Sequence, residues 1–163
     1  MQTPVIRPAA DSDRDHWQAL RQELWPDCPA ERHALEIRQI LASEGVVLVA
    51  HDREAGLVGF AEISIRRDHV EGAAASPVPY IEGWYVRDAF RRKGIGRRLL
   101  EAAARWAAQH GYAELASDAE ARNRASIDAH AAVGFREVGR SVHFIKRFGS
   151  TTHCREEDIH NGR

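Results

Sequence analysis

The stretch from Tyr80 to His110 constrains this chain more than any other. An apolar, β-rich run, Tyr80 to Val86 (YIEGWYV), leads through a short link into Arg91-Arg92-Lys93-Gly94-Ile95-Gly96. A helical pattern starts there and places Leu99, Leu100, Ala103, Trp106 and Ala107 on one face, up to a stop at Gly111. A helix start leaves backbone N–H groups unpaired and carries positive partial charge, which makes it a seat for an anion. Gly94 and Gly96 remove the Cβ atoms that would keep a diphosphate off those groups, while Arg91, Arg92, Lys93 and Arg97 add charge around the same point. Basic residues in a first helical turn oppose the helix dipole, so a purely structural role fits poorly. Neither the Gly-Lys-Ser/Thr of a mononucleotide loop nor the GxGxxG of a dinucleotide fold occurs in the turn.

Around this segment the chain alternates between elements. Pro4 to Pro8 reads as a short strand. A helix capped at Asp11 or Ser12 runs through Trp17, Leu20 and Leu24 to Pro26, and a second spans about Pro29 to Ser43. Val46 to Ala50 and Leu57 to Ile65 form a hairpin about Gly56, and an aperiodic stretch from Arg66 to Pro79 predicts a long loop of the kind that often carries function. Gly83 interrupts the Tyr80 strand and predicts a bulge. Beyond Gly111 come a strand, Ala113 to Ser117, a helix from about Asn123 to Val133, and two closing strands, Phe135 to Val138 and Ser141 to Arg147. The order is βααβββαβαββ, an α+β chain.

The 163 residues suffice for one domain, assigned to residues 1–148, with residues 149–163 too polar to pack and expected as a mobile tail. With 23 basic and 24 acidic side chains there is no global field to draw in nucleic acid or an anionic membrane, so neither is expected as a partner. No apolar run reaches the roughly 18 residues of a membrane span and residues 1–15 lack a signal-like core, so the expected location is the cytoplasm. Cys28 and Cys154 are expected as free thiols. The trio His153, Cys154 and His160 matches no zinc spacing, and no metal is expected.

The motif R-x-x-G-x-G at Arg91, Gly94 and Gly96, with Asn123 opening a helix that closes through Ala131 to Phe135 (AAVGF), resembles the GNAT superfamily of acyl-CoA-dependent N-acetyltransferases. The resemblance implies a mostly antiparallel twisted sheet of six to seven strands flanked by about four helices. It also implies acetyl-CoA as co-substrate, held by Trp84, Tyr85 and Val86, by the turn from Arg91 through Arg92, Lys93, Gly94, Ile95 and Gly96 to Arg97, and by Asn123. Leu24-Trp25-Pro26, the segment Ser64 to Gly72, Ile81-Glu82-Gly83 and Leu115 to Asp118 are similar to the aminoglycoside 6′-N-acetyltransferases. That likeness implies aminoglycoside contacts from Trp25, Cys28, His69, Glu82 and Asp118, and a homodimer. The family often has histidine at the place of Cys28, tyrosine at that of His69, and a tyrosine acid in the region of His130.

Transfer of acetyl from a thioester to an amine needs a neutral amine, a polarised carbonyl and an outlet for the thiolate. A bulge at Gly83 would aim N–H groups near Trp84 to Val86 out of the sheet, and Glu82 and Asp118 form the candidate catalytic pair, as anchors for a polycation and as proton acceptors. Two other readings stay open at this point. One is a GNAT enzyme acting on another small amine or a protein N-terminus; the other is a CoA-binding module without catalysis.

Overall fold

The computed structural model describes residues 3–148; the segment expected as a tail, with Cys154 and its neighbouring histidines, lies outside them. The strands are β1 (Val5–Pro8), β2 (Val46–Asp52), β3 (Gly56–Arg66), β4 (Val78–Val86) and β5 (Ala116–Ser117). The helices are α1 (Arg14–Leu24), α2 (Ala30–Leu41), α3 (Ile95–Gln109) and α4 (Arg124–Ala132). They build a sheet in the order β1-β2-β3-β4-β5, antiparallel throughout except that β4 and β5 run parallel.

Both faces of the central strands are covered, and their sequences show it. In β2, Leu48 and Ala50 pack with Val58, Ile81, Ile95, Leu99, Leu100 and Ala103 on the α3 side. The alternate residues Val47 and Val49 pack with Trp17, Leu20, Ile37 and Phe60 on the α1 and α2 side. A strand buried on both faces reads as a continuous apolar run, which is why VVLVA shows no polar alternation.

One polar side chain breaks that pattern. Glu62 of β3 is 2% exposed and faces α1, where Arg21 donates to both of its oxygens at 2.6 Å and Trp17 Nε1 donates at 2.8 Å. Burial pushes the Glu62 carboxyl up, and this outweighs the opposing pull of the Arg21 charge and its hydrogen bonds. Arg21 also donates from Nε to His33 Nδ1 at 3.2 Å and pairs with Glu36, so one guanidinium ties α1 to β3 and to α2.

The predicted bulge is present. Glu62 of β3 opposes Gly83 and Ile63 opposes Ile81, which leaves Glu82 as the extra residue of β4. Gly83 has a packing reason as well, because a Cβ there would lie 2.6 Å from Cη2 of Trp25.

The sheet has five strands where six to seven were expected. The fifth, expected over Ala113 to Ser117, pairs only at Ala116 and Ser117, and neither Phe135 to Val138 nor Ser141 to Arg147 forms a strand. A strand needs a partner edge to satisfy its backbone, and β5 offers one two residues long. The alternating apolar pattern of the last segment therefore goes unused among the described residues, with Val142 78%, Phe144 91%, Ile145 77% and Phe148 86% exposed.

The buried pair yields a prediction. Arg21→Ala leaves Glu62 buried without its counter-charge and lowers unfolding free energy by about 3–5 kcal/mol in urea denaturation. The double change Arg21→Met/Glu62→Leu, which removes both charges, costs less than the single one.

Candidate functional site

Two halves of the site meet where β4 and β5 part. The strands pair at Tyr80 with Ala116 and at Ile81 with Ser117, and not beyond. Glu82, Gly83 and Trp84 border the gap from β4, and Asp118 follows directly on β5.

The first half is the turn before α3. Arg91 donates from Nε to the Val86 carbonyl at 2.8 Å and pairs with Asp88 at 2.8 Å, and Lys93 donates to the Ala89 carbonyl at 3.0 Å. Arg91 fastens the turn to the end of β4, and Lys93 fastens it to the segment that follows. Arg92 at φ 60° and Gly94 at φ 75° are both left-handed; such alternation of backbone hand turns successive N–H groups toward one point, and for the arginine it costs strain. A Cβ on Gly94 would meet nothing within 4 Å, so the space before the helix is open. The first N–H bonded back across the helix start is that of Arg98, to the Gly94 carbonyl at 3.1 Å, and the donors before it are the ones a helix leaves for an anion. Gly96 has a packing requirement besides the clearance expected of it: a Cβ there would sit 2.9 Å from Cζ2 of Trp84. The indole of Trp84 thus rests on the first turn of α3, and its Nε1–H is buried with no partner among the described residues.

The expected cofactor residues divide accordingly. Ile95 and Val86 are core, and Arg97 pairs with Glu101 at 2.8 Å. Tyr85 points to the opposite face, where its hydroxyl donates to Glu23 at 3.0 Å, because neighbouring strand residues face opposite ways. Only its backbone can serve a ligand on the α3 side. Asn123 caps α4, its Oδ1 accepting from Ser126 N at 3.1 Å, so the side-chain amide nitrogen is the atom it can offer. An open αL glycine, a helix start, and an orphaned indole N–H beside a splayed strand pair fit a diphosphate followed by an amide-bearing arm. They fit the CoA moiety.

The second half is a cleft of about 790 Å³ on the α1 and α2 side, with Trp25, Cys28, His33, Glu36, Glu62 and Glu82 in its wall. It joins three of the expected substrate residues, Trp25, Cys28 and Glu82. Trp25 is held against Gly83 by Phe60 at 6.3 Å between ring centroids, with Arg21 4.8 Å from its ring. Asp118 joins through a relay: Arg66 donates to Glu82 at 2.8 and 2.6 Å and lies 3.4 Å over the ring of Tyr80, whose hydroxyl donates to Asp118 at 2.7 Å. His69 stands apart. Its side chain is 85% exposed, 3.6 Å from Glu71, because the loop between β3 and β4 carries it outward from the cleft wall.

Partial burial pushes the Glu82 carboxyl up, but hydrogen bonds from Arg66 and Ser64 and the Arg66 charge together hold it below the usual range. Burial and the hydrogen bond to Asp118 push the Tyr80 hydroxyl up, so it stays a donor. Arg66, Tyr80 and Ser64 were not singled out from sequence, nor were Arg21, His33, Glu36 and Glu62. The available signal was Ser64, Arg66, Tyr80 and Glu82 at two-residue spacing on adjacent strands, which acquires meaning once Ser64 is known to oppose Tyr80.

Cys28, His33 and Glu36 bring ligand-type atoms within 4.8 Å of one another. Cations already occupy two of the three: Arg21 sits on His33 Nδ1, and Arg21 and Arg32 both pair with Glu36. With a donor on Nδ1, the neutral imidazole carries its proton on Nε2, which is then no ligand.

Comparison with known proteins identifies the family. Residues 14–135 match the acetyltransferase (GNAT) family model. The chain is 42% identical over 142 residues to the aminoglycoside N(6′)-acetyltransferase type 1 of Stenotrophomonas maltophilia, covering 86% of this chain and 92% of that protein. It is 42% identical over 136 residues to the protein of the same name from Serratia marcescens, covering 83% and 93%. Among solved structures it superposes with a TM-score of 0.84 and 34% identity on AAC(6′)-Iy in complex with the bisubstrate analogue CoA-S-monomethyl-acetylneamine, covering 90% of this chain and all of that one. The apo aminoglycoside 6′-N-acetyltransferase AAC(6′)-IG of Acinetobacter haemolyticus superposes with a TM-score of 0.81 at 35% identity, covering 89% and 99%.

The turn can be tested directly. Gly94→Glu places a strained left-handed side chain and a negative charge where the diphosphate would sit, and weakens acetyl-CoA binding about tenfold or more by calorimetry. An unchanged affinity would remove the assignment.

Proposed function

The chain belongs to the acetyltransferase (GNAT) family, and we propose that it transfers acetyl from acetyl-CoA to the 6′-amine of an aminoglycoside, with Glu82 and Asp118 anchoring the polycation. The observation that carries this reading is the splay of β4 and β5, with an anion-binding turn on one side and a carboxylate-lined cleft on the other. Acetyl-CoA, when bound, supplies the activated acyl group. The helix start at Gly94 to Arg97 holds its diphosphate, and the backbone beside the bulge at Glu82 supplies donors to its arm and thioester oxygen.

Glu82 acts as an anion more than as a base. A carboxyl held below its usual range is fully ionised at neutral pH and accepts a proton from an ammonium reluctantly. It attracts the substrate, orients it, and leaves deprotonation of the amine to solvent or to Asp118. The lowered pKa also sets a sign for stability: Glu82 contributes above its unfolded value near 4.3, and the contribution is lost as pH falls through the folded pKa. Arg66 is the internal cation that an incoming ammonium must share or displace, so Arg66 moderates affinity. Trp25 and Cys28 form the wall against which the sugar rings lie.

We place the enzyme in the cytoplasm, where its acyl donor is made; no described helix is long and apolar enough to cross a membrane. We further propose a homodimer in which a second copy covers Val142, Phe144 and Ile145. Their exposure, and a β pattern that finds no partner among the described residues, support it.

Acetylation should release CoA with kanamycin or tobramycin, and not with an analogue lacking a free 6′-amine. Failure with all such drugs, while another amine turns over with a specificity constant orders of magnitude higher, would favour the other-amine reading. Glu82→Gln should lower kcat/KM for the drug at least about tenfold, mainly through KM, and leave acetyl-CoA affinity unchanged. Equal losses in both would mean a damaged fold. For the assembly, sedimentation should show a dimer that Phe144→Glu converts to monomer.

A further inference from the structure

We propose that Ser117 and His130 form a nucleophile and base that give this chain a second activity, hydrolysis of acetyl-CoA without an amine through an acetyl-Ser117 ester. The inference rests on the acetyl-CoA reading above. Ser117 is the last residue of β5 and pairs with Ile81 at the point where the two strands part, next to the gap assigned to the thioester. Its Oγ lies 2.8 Å from His130 Nε2 on α4, and His130 Nδ1 lies 2.7 Å from the Ser126 carbonyl oxygen.

A carbonyl only accepts, so in the neutral imidazole the proton is on Nδ1 and the Nε2 lone pair faces the Ser117 hydroxyl, which donates to it. That is the tautomer a base needs in order to take a proton from serine, fixed by a third group on the far side of the ring. The ring cannot easily turn away. Trp84 meets it edge-on at 5.3 Å and Phe135 at 5.4 Å. A helix docked on a strand needs no such relay, since an apolar contact would hold α4 equally well.

The chemistry closes without a redox partner. As Ser117 Oγ bonds the thioester carbonyl carbon, its proton moves to His130 Nε2. Collapse breaks the carbon–sulfur bond, and the imidazolium returns the proton to the thiolate, giving CoA and acetyl-Ser117. Water, losing a proton to the same nitrogen, then attacks the ester, and Oγ leaves with that proton, giving acetate. With an aminoglycoside in the cleft, the amine reaches the carbonyl first and the side path is suppressed.

The test uses the full chain with acetyl-CoA and no amine, following CoA with a thiol reagent and analysing acid-quenched protein by peptide mass spectrometry. We expect release about tenfold or more above the protein-free rate and one acetyl group on the peptide containing Ser117. Ser117→Ala should lose the release about tenfold or more while still acetylating the drug at a rate within about threefold of the unaltered chain, which also shows that it folds. If that variant fails to fold, Ser117→Cys retains a nucleophile of similar size and should carry the acetyl group in its place. Release at the unaltered rate from Ser117→Ala, or no adduct on either Ser117 or the cysteine, overturns the proposal. A chain that acetylates the drug but releases no CoA without amine overturns it and leaves the proposed function standing; a chain that neither binds nor consumes acetyl-CoA overturns both.

Discussion

The extra residue in β4 is the constraint from which the rest of the site follows. By opposing Gly83 to Glu62 and Ile81 to Ile63, the bulge takes Glu82 out of the ladder and turns it toward the cleft rim. It also brings Gly83 under the indole of Trp25, which a side chain at that position would exclude. Beyond the same point β4 and β5 part, because a bulged strand bends and its neighbour has only two paired residues to follow it with. The gap between β4 and β5 and the placement of Glu82 and Trp25 at the cleft are therefore two consequences of one local irregularity.

Charge is arranged around that irregularity in two tiers. The buried tier, Arg21 with Glu62, Glu36 and His33, is tightly paired around the Arg21 guanidinium and costly to disturb, and it locks α1 and α2 to the back of the cleft. The outer tier, Arg66 with Glu82 and Tyr80 with Asp118, is partly exposed, so its ion pair is screened and exchangeable. A polycation can compete for the outer carboxylates without prying open the inner ones. The same separation accounts for a Glu82 carboxyl held below its usual range, in contrast to Glu62, whose burial pushes it up.

Much of the fold could be read from the residues, and particular elements show why. The β2–β3 hairpin, α1, α2 and α3 announce themselves through local period and turn chemistry, and these carry most of the core. The closing strands announced themselves equally clearly and did not form, since alternation specifies a strand-like segment but not the edge that must receive it. Gly83 was legible as a bulge; the Trp25 contact that requires it was not. Gly96 is legible as clearance for a phosphate; the Trp84 contact that also requires it is not. The basic residues of the turn were read as one cluster, yet Arg91 and Lys93 spend hydrogen bonds on the turn itself.

What the sequence determined by itself was the order of elements from β1 to α4, a glycine-bearing helix start suited to an anion, and Glu82 and Asp118 as candidate carboxylates, because each depends on neighbours within a few residues or on side-chain type. Only the tertiary structure decided which of them act together. It joined Glu82 to Asp118 through Arg66 and Tyr80, buried Glu62 beside Arg21, set His69 apart, and aligned Ser117 with His130. Those pairings depend on strand register and on which face of the sheet each helix covers. A one-residue change of register reverses every such assignment, and no local pattern encodes it.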